Sequence, residues 1–217
     1  PREILSSGSF PGIVVDDDDL AQGVELAHGE MVAADLVVSG ADMHHTETEL
    51  LSREHQWQPE ERWAKRQPGV SALLVFAGVR GELPELAHHT LFFTRDWSRN
   101  FAQIVGDGEL EPPFPASVYV SRVTATDPGA APHGYENLVM LVPFPADATL
   151  GATEESRAQL RGFAERYLQQ VGAWASVPDL SDRLTIHAVT TPADYEREIS
   201  AWKGSALGLE HTLRQSA

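Results

Sequence analysis

Apolar residues in this chain come in short runs, such as those at residues 73–77 and 36–38. Neither approaches the roughly 20 residues that a membrane-spanning helix needs. Short apolar runs broken by turn residues instead favour strands and helices that bury one another in layers. Hydrophobic residues make up 42% of the chain, enough for a real core and too many for wholesale disorder.

The runs fall into an alternating order. Residues 2–38 predict a β-meander. Within it Ile13, Val14 and Val15 are β-branched, and four aspartates, Asp16 to Asp19, follow as a solvated hairpin tip. A calcium site is the sharper alternative there, but the glycine and distal glutamate of an EF-hand are missing. The stretch from Ala34 to Val38 is nearly all apolar and predicts a strand buried on both faces. Residues 42–67 look helical, with Pro59 opening a second turn or helix. Residues 70–79 carry the strongest strand pattern. Further strands are expected at 89–93, 117–123, 137–142 and 184–189, and a helix at 96–105.

The best helix covers residues 154–172. Thr153 can cap it, Glu154 and Glu155 suit the positive end of its dipole, and Leu160, Phe163, Ala164, Tyr167, Leu168 and Val171 form one core stripe. A last helix begins with Thr191 as cap, Pro192 at the first position and Asp194 at the third, and is expected to end at Gly204. The fold class is therefore α+β: a mixed β-sheet flanked by helices, preceded by a β-meander.

Charge and missing motifs remove several functions. With 32 acidic against 16 basic side chains the net charge is -16, which disfavours nucleic-acid binding and offers no polybasic lipid patch. There is no cysteine, so disulfides, thiolate metal sites and cysteine nucleophiles are excluded. No glycine fingerprint for dinucleotides, no P-loop, no nucleophile elbow and no H-E-x-x-H is present. The N-terminal residues carry no signal-peptide pattern, and a cytoplasmic setting is the default.

The histidines pair as His44-His45 and His88-His89. Neighbouring side chains diverge on a helix or a strand, so a pair rarely binds one metal. His45 and Glu49 have i,i+4 spacing and read as a solvated helix face; no metal is assigned. His88 and His89 lie between apolar residues, so one of them is expected to face inward, either bonding the backbone or lining a ligand cavity. Glu210, among small residues, reads as a cap or a cleft residue.

Four segments together resemble the bacterial phytoene desaturases of carotenoid biosynthesis, flavoenzymes of the amine-oxidase-like superfamily. The first runs from Ala34 through Ser39, Gly40 and Ala41 to Asp42. The second is Leu86-Ala87-His88-His89-Thr90. The third is Thr126-Asp127-Pro128, then Ala131-Pro132-His133-Gly134 and residues 138–143. The fourth joins Thr191-Pro192-Ala193-Asp194-Tyr195, Gly204-Ser205-Ala206-Leu207-Gly208-Leu209-Glu210 and Gln215-Ser216-Ala217. Order and spacing match along nearly the whole chain. Gly40 stands where asparagine is usual, His133 where glutamate is common, Leu207 for phenylalanine and His211 for proline.

The resemblance implies an FAD-dependent oxidoreductase that dehydrogenates C–C bonds of a polyene precursor. The family's N-terminal nucleotide motif and its C-terminal glycine-rich segment are both absent here. This chain is therefore expected to be a fragment: residues 1–42 a meander belonging to the FAD-binding domain, residues 43–217 the substrate-domain portion. FAD is expected in the full-length enzyme and none bound to this chain. Ser39, Gly40 and Ala41 are implied to lie near the nucleotide, and His88, His89 and Glu210 beside the substrate. The implied partners are an apolar polyene and, peripherally, a membrane. The alternative is a non-enzymatic module, derived from that fold, that binds an apolar ligand or a partner. A retinol-saturase-like or amine-oxidising relative is disfavoured by the L-A-H-H-T segment.

Overall fold

Three short strands come first: β1 (Gly12–Val15), β2 (Ala21–Glu25) and β3 (Met31–Ala33), paired antiparallel in that order. The structure is a computed structural model that describes residues 12–57, 60–105 and 110–213. The aspartate turn forms as expected. The Asp16 carboxylate accepts the N–H groups of Asp18 and Leu20, both at 3.0 Å. Asp19 takes a left-handed φ of 60°, a conformation that Asp tolerates better than most residues.

Residues 42–67 form short helical pieces. Asp42 caps α1 (Met43–His45), accepting the N–H of His44 at 2.8 Å, and the helix runs on as a π-helix over Thr46–Leu50. There the Thr48 hydroxyl donates to the His44 carbonyl at 2.8 Å, competing with the regular backbone bond. A 3-10 turn (Arg53–His55) and α2 (Glu60–Trp63) follow. Pro59 lies outside the described residues.

The second sheet has five strands: β4 (Ser71–Arg80), β5 (His89–Phe92), β6 (Val118–Arg122), β7 (Tyr135–Phe144) and β8 (Leu184–Thr190), in the order β5-β6-β7-β4-β8. Its helices are α3 (Trp97–Ile104), α4 (Glu154–Ala175), α5 (Leu180–Arg183) and α6 (Pro192–Ile199). The α+β class, with a meander ahead of a helix-flanked sheet, is as expected from the sequence. The sheet expected to be mixed pairs antiparallel throughout. The crossover through α4 explains this. It carries the chain from β7 to β8, which are parallel to each other, but β4 lies between them and is antiparallel to both.

Alternation decides which sheet face is core. Leu73, Val75, Ala77 and Val79 of β4, and Leu138, Met140, Val142 and Phe144 of β7, are all buried. In the same core cluster are Leu160, Ala164, Tyr167, Leu168 and Val171 of α4, with Phe163 packed at its edge. The predicted helical stripe is thus the sheet's cover. Two polar side chains of α4 pin the approach to β6. Gln170 brackets Ala116, accepting its N–H at 3.0 Å and donating to its carbonyl at 2.7 Å. The Tyr167 hydroxyl donates to the Pro113 carbonyl at 2.7 Å. Each bond satisfies a backbone group that no strand reaches.

Two expectations are corrected. Residues 34–38 form no strand and are not buried: Leu36 is 77% and Val38 83% exposed. Backbone pairing stops where Ala34 donates to Gln22 at 3.0 Å. An apolar run signals a demand for burial, and no described element supplies the cover. The last helix also ends at Ile199 rather than Gly204, because Ser200 takes a left-handed φ of 54° and closes it. Trp202–Gly204 is a separate 3-10 turn. Gly204, at φ 71°, sits so close to the Pro192 carbonyl that a Cβ would fall 2.5 Å from its oxygen. The start of α6 is as expected, with a capping box between Thr191 and Asp194.

Candidate functional site

One face of the five-stranded sheet lies under α4, and on the other, which we call the open face, the described side chains at its centre are half-buried rather than buried. Strand register sets two rows across the open face: His89, Ser121, Val139 and Phe76, then Leu91, Tyr119, Leu141 and Leu74. Phe76, Leu74, Val139 and Leu141 are half-buried and Leu91 is 58% exposed. The middle of this face is apolar, and its edge at β5 is polar.

That edge carries the histidine pair. The two rings lie 4.2 Å apart. His88 is half-buried and shares a 2.6 Å hydrogen bond between its Nδ1 and the Thr126 hydroxyl. His89 is exposed, shares a 2.7 Å bond between Nδ1 and the Tyr119 hydroxyl, and stacks on that ring at 5.9 Å. Each imidazole is therefore held at Nδ1 by a side-chain hydroxyl, which leaves Nε2 for a further partner. Such an arrangement can position a ligand and pass a proton, but it holds no nucleophile and no paired carboxylate.

Glu210 is held elsewhere. Its N–H donates to the Gln67 carbonyl at 3.1 Å, beside the bridge between Pro68 and Leu209 that precedes β4. Strands β6 and β7 separate β5 from β4, so Glu210 and the histidines are not one cluster. Ser39, Gly40 and Ala41 lie just ahead of α1. Ser39 Oγ bonds the Thr46 hydroxyl at 2.7 Å. Gly40 is exposed, and a Cβ placed there would meet nothing within 4 Å. No group of three or more metal-binding side chains occurs among the described residues.

Tyr119 and Thr126 are the residues that sequence reasoning missed. The alternating pattern of residues 117–123 identified the strand, but placing Tyr119 beside His89 requires the cross-strand register. Thr126 opens the T-D-P segment and looks there like a turn residue.

The antiparallel, helix-backed sheet behind a short meander defines an α+β fold. A solved oxidoreductase from Methanosarcina mazei matches it with a TM-score of 0.51 at 18% identity, over 84% of this chain and 36% of that one. The sequence is closer to a narrower group. It is 36% identical over 194 residues to a carotenoid 3,4-desaturase of Haloarcula japonica, covering 89% of this chain and 38% of the relative. It is 31% identical to a lycopene-forming phytoene desaturase of Pseudescherichia vulneris, covering 99% of this chain and 43% of the relative. A 4,4'-diapophytoene desaturase of Methylomonas is 28% identical over 98% of this chain and 40% of its own length. No family model matches. The chain is a relative of the carotenoid and phytoene desaturases, and spans about two fifths of their length.

Proposed function

We propose that this chain is the substrate-domain segment of an FAD-dependent desaturase that dehydrogenates C–C bonds of a polyene precursor. The observation that carries this reading is the open sheet face. Its half-buried Leu74, Phe76, Val139 and Leu141 make an apolar floor suited to an extended hydrocarbon. Similarity to desaturases over nearly the whole chain supports it.

Residues 1–42 then belong with the flavin domain and residues 43–217 with the substrate domain. The open space at Gly40 and the exposed Ser39 suit close approach of a nucleotide. Ser39, Gly40 and Ala41 would therefore touch the cofactor at its rim. No glycine-rich phosphate cradle is present in the chain to hold it. When bound, FAD supplies the hydride acceptor. The chain's own part is to hold the hydrocarbon, exclude water and orient it at the edge marked by His88, His89 and Tyr119. Glu210, whose N–H bonds the Gln67 carbonyl just ahead of β4, would meet the substrate away from the histidine edge. The setting is cytoplasmic, with peripheral contact to the membrane that dissolves the substrate. Among the described residues no helix is long and apolar enough to cross a membrane.

Purified alone, the 217-residue chain is expected to be colourless. Stoichiometric flavin retained through gel filtration would contradict the rim-contact assignment. In the protein that joins this chain to its flavin-binding segment, incubation with an acyclic polyene should shift absorbance to longer wavelength. His89→Ala and Tyr119→Phe should each lower turnover about ten-fold, the effect of roughly 1.4 kcal/mol on a barrier, with flavin content unchanged. Unchanged turnover in both variants would remove the histidine edge from the site.

A further inference from the structure

The carboxylate of Glu136 is buried where three segments of the chain meet. Glu136 lies near the start of β7 and is 7% exposed. One carboxylate oxygen accepts the Leu83 N–H at 3.2 Å and a guanidinium N–H of Arg122 at 2.9 Å. The other accepts the Thr124 hydroxyl, which in turn accepts the Asn137 N–H at 3.4 Å. Leu83 belongs to the buried turn that leads into His88, closed by the Leu86 N–H on the Leu83 carbonyl at 3.1 Å. Arg122 ends β6, and its backbone N–H donates to the His88 carbonyl at 2.8 Å. Thr124 sits in the 3-10 turn Val123–Ala125, and the Val123 carbonyl of that turn accepts the Thr126 N–H at 3.2 Å.

Those three segments carry the whole histidine edge. The stretch after Leu83 brings His88 and His89, β6 brings Tyr119, and the 3-10 turn brings Thr126, whose hydroxyl meets His88 Nδ1. Glu136 itself bonds none of these four side chains. Stability alone explains the arrangement poorly. Desolvation offsets the attraction within a buried ion pair unless the polar groups around it are satisfied. Here Arg122 Nε is buried with no acceptor among the described residues. What the carboxylate does supply is one anchor for three donors from three segments, which fixes their relative positions.

We propose that Glu136 is a positioning residue for the histidine edge, acting through Thr124 and Arg122. By holding the turn after β6 it places the Thr126 hydroxyl, and through that bond the His88 imidazole. The effect on turnover rests on the desaturase reading; the geometric claim does not.

The test takes the 217-residue chain with isotope-labelled histidine and reads the ring-nitrogen chemical shifts, which report hydrogen bonding at each Nδ1. Thr124→Val keeps the side-chain shape and removes the hydroxyl. It should move the His88 shifts toward those of a solvated histidine and leave His89, bonded to Tyr119, in place, with circular dichroism unchanged. Glu136→Gln should displace His88 in the same direction, and Thr124→Ser should restore the wild-type shifts. In the protein joined to its flavin-binding segment, Thr124→Val should lower kcat about ten-fold with KM and flavin content unchanged, and Thr124→Ser should recover it. Identical His88 shifts in wild type and Thr124→Val would overturn the proposal. So would failure of Thr124→Ser to restore them, or equal displacement of both histidines with a lowered melting temperature, the mark of a purely structural role. Displaced His88 with unchanged kcat would uphold the anchor and count against the desaturase reading of this edge.

Discussion

Replacing Asp194 with alanine is expected to destabilise the fold by about 3–5 kcal/mol, the usual cost of stripping one partner from a buried ion pair. For a chain of this size that lowers the melting temperature by roughly 6–20 °C. Asp194 is only 4% exposed. Its carboxylate accepts from both Arg157 nitrogens at 2.6 and 3.2 Å, from the Thr191 N–H and hydroxyl at 2.9 and 2.8 Å, and from Arg197 at 2.5 Å. It therefore joins α4 to the start of α6, two elements far apart in sequence. Burial by itself would raise its pKa, but the bonds from Arg157, Thr191 and Arg197 outweigh burial and hold the group well below the usual carboxylate range. The sign of the pH effect follows. The stabilisation is fully present above the unfolded value of about 3.9 and fades as pH falls below it toward the depressed native value. Denaturant titrations of the wild type and Asp194→Asn should differ widely at neutral pH and converge in acid. A constant difference would show that the charge is not what Asp194 contributes.

The second large effect is expected at Tyr167. Tyr167→Ala should cost about 3–5 kcal/mol, because it empties a fully buried aromatic site under the sheet. The ring meets Phe144 edge-on at 6.3 Å and lies within 6.0 Å of Phe114 and 5.9 Å of Phe163, so the cavity would open in the middle of an aromatic group. Tyr167→Phe keeps the ring and removes only the bond to the buried Pro113 carbonyl, and should cost about 1–2 kcal/mol. Equal losses in the two variants would mean that the hydroxyl, and not the packing, dominates. Burial also pushes the phenol pKa up. Its contribution is complete below the unfolded value of about 10 and is lost as pH rises beyond it, so unfolding in alkali should be delayed in the Phe variant.

Local chemistry alone determined much of this protein. The period-two apolar pattern at 71–80 and the 3.6-residue stripe from Leu160 to Val171 specify strand and helix, because each side chain's face depends only on its neighbours in sequence. The capping residues Thr153, Asp96 and Thr191 mark where helices begin for the same reason. The L-A-H-H-T segment and the motifs near both ends made the kinship with desaturases readable before any coordinate. Tertiary structure decided everything that depends on distant partners. It set the antiparallel register that brings Tyr119 to His89, and it separated Glu210 from both. It left Leu36 and Val38 uncovered although their sequence reads as core. It also turned the aromatics of α3 outward, because Asn100 and Gln103 were needed inside to satisfy the backbone and side chains around residues 111–117. Periodicity states which residues share a face; only the packed chain determines what that face meets.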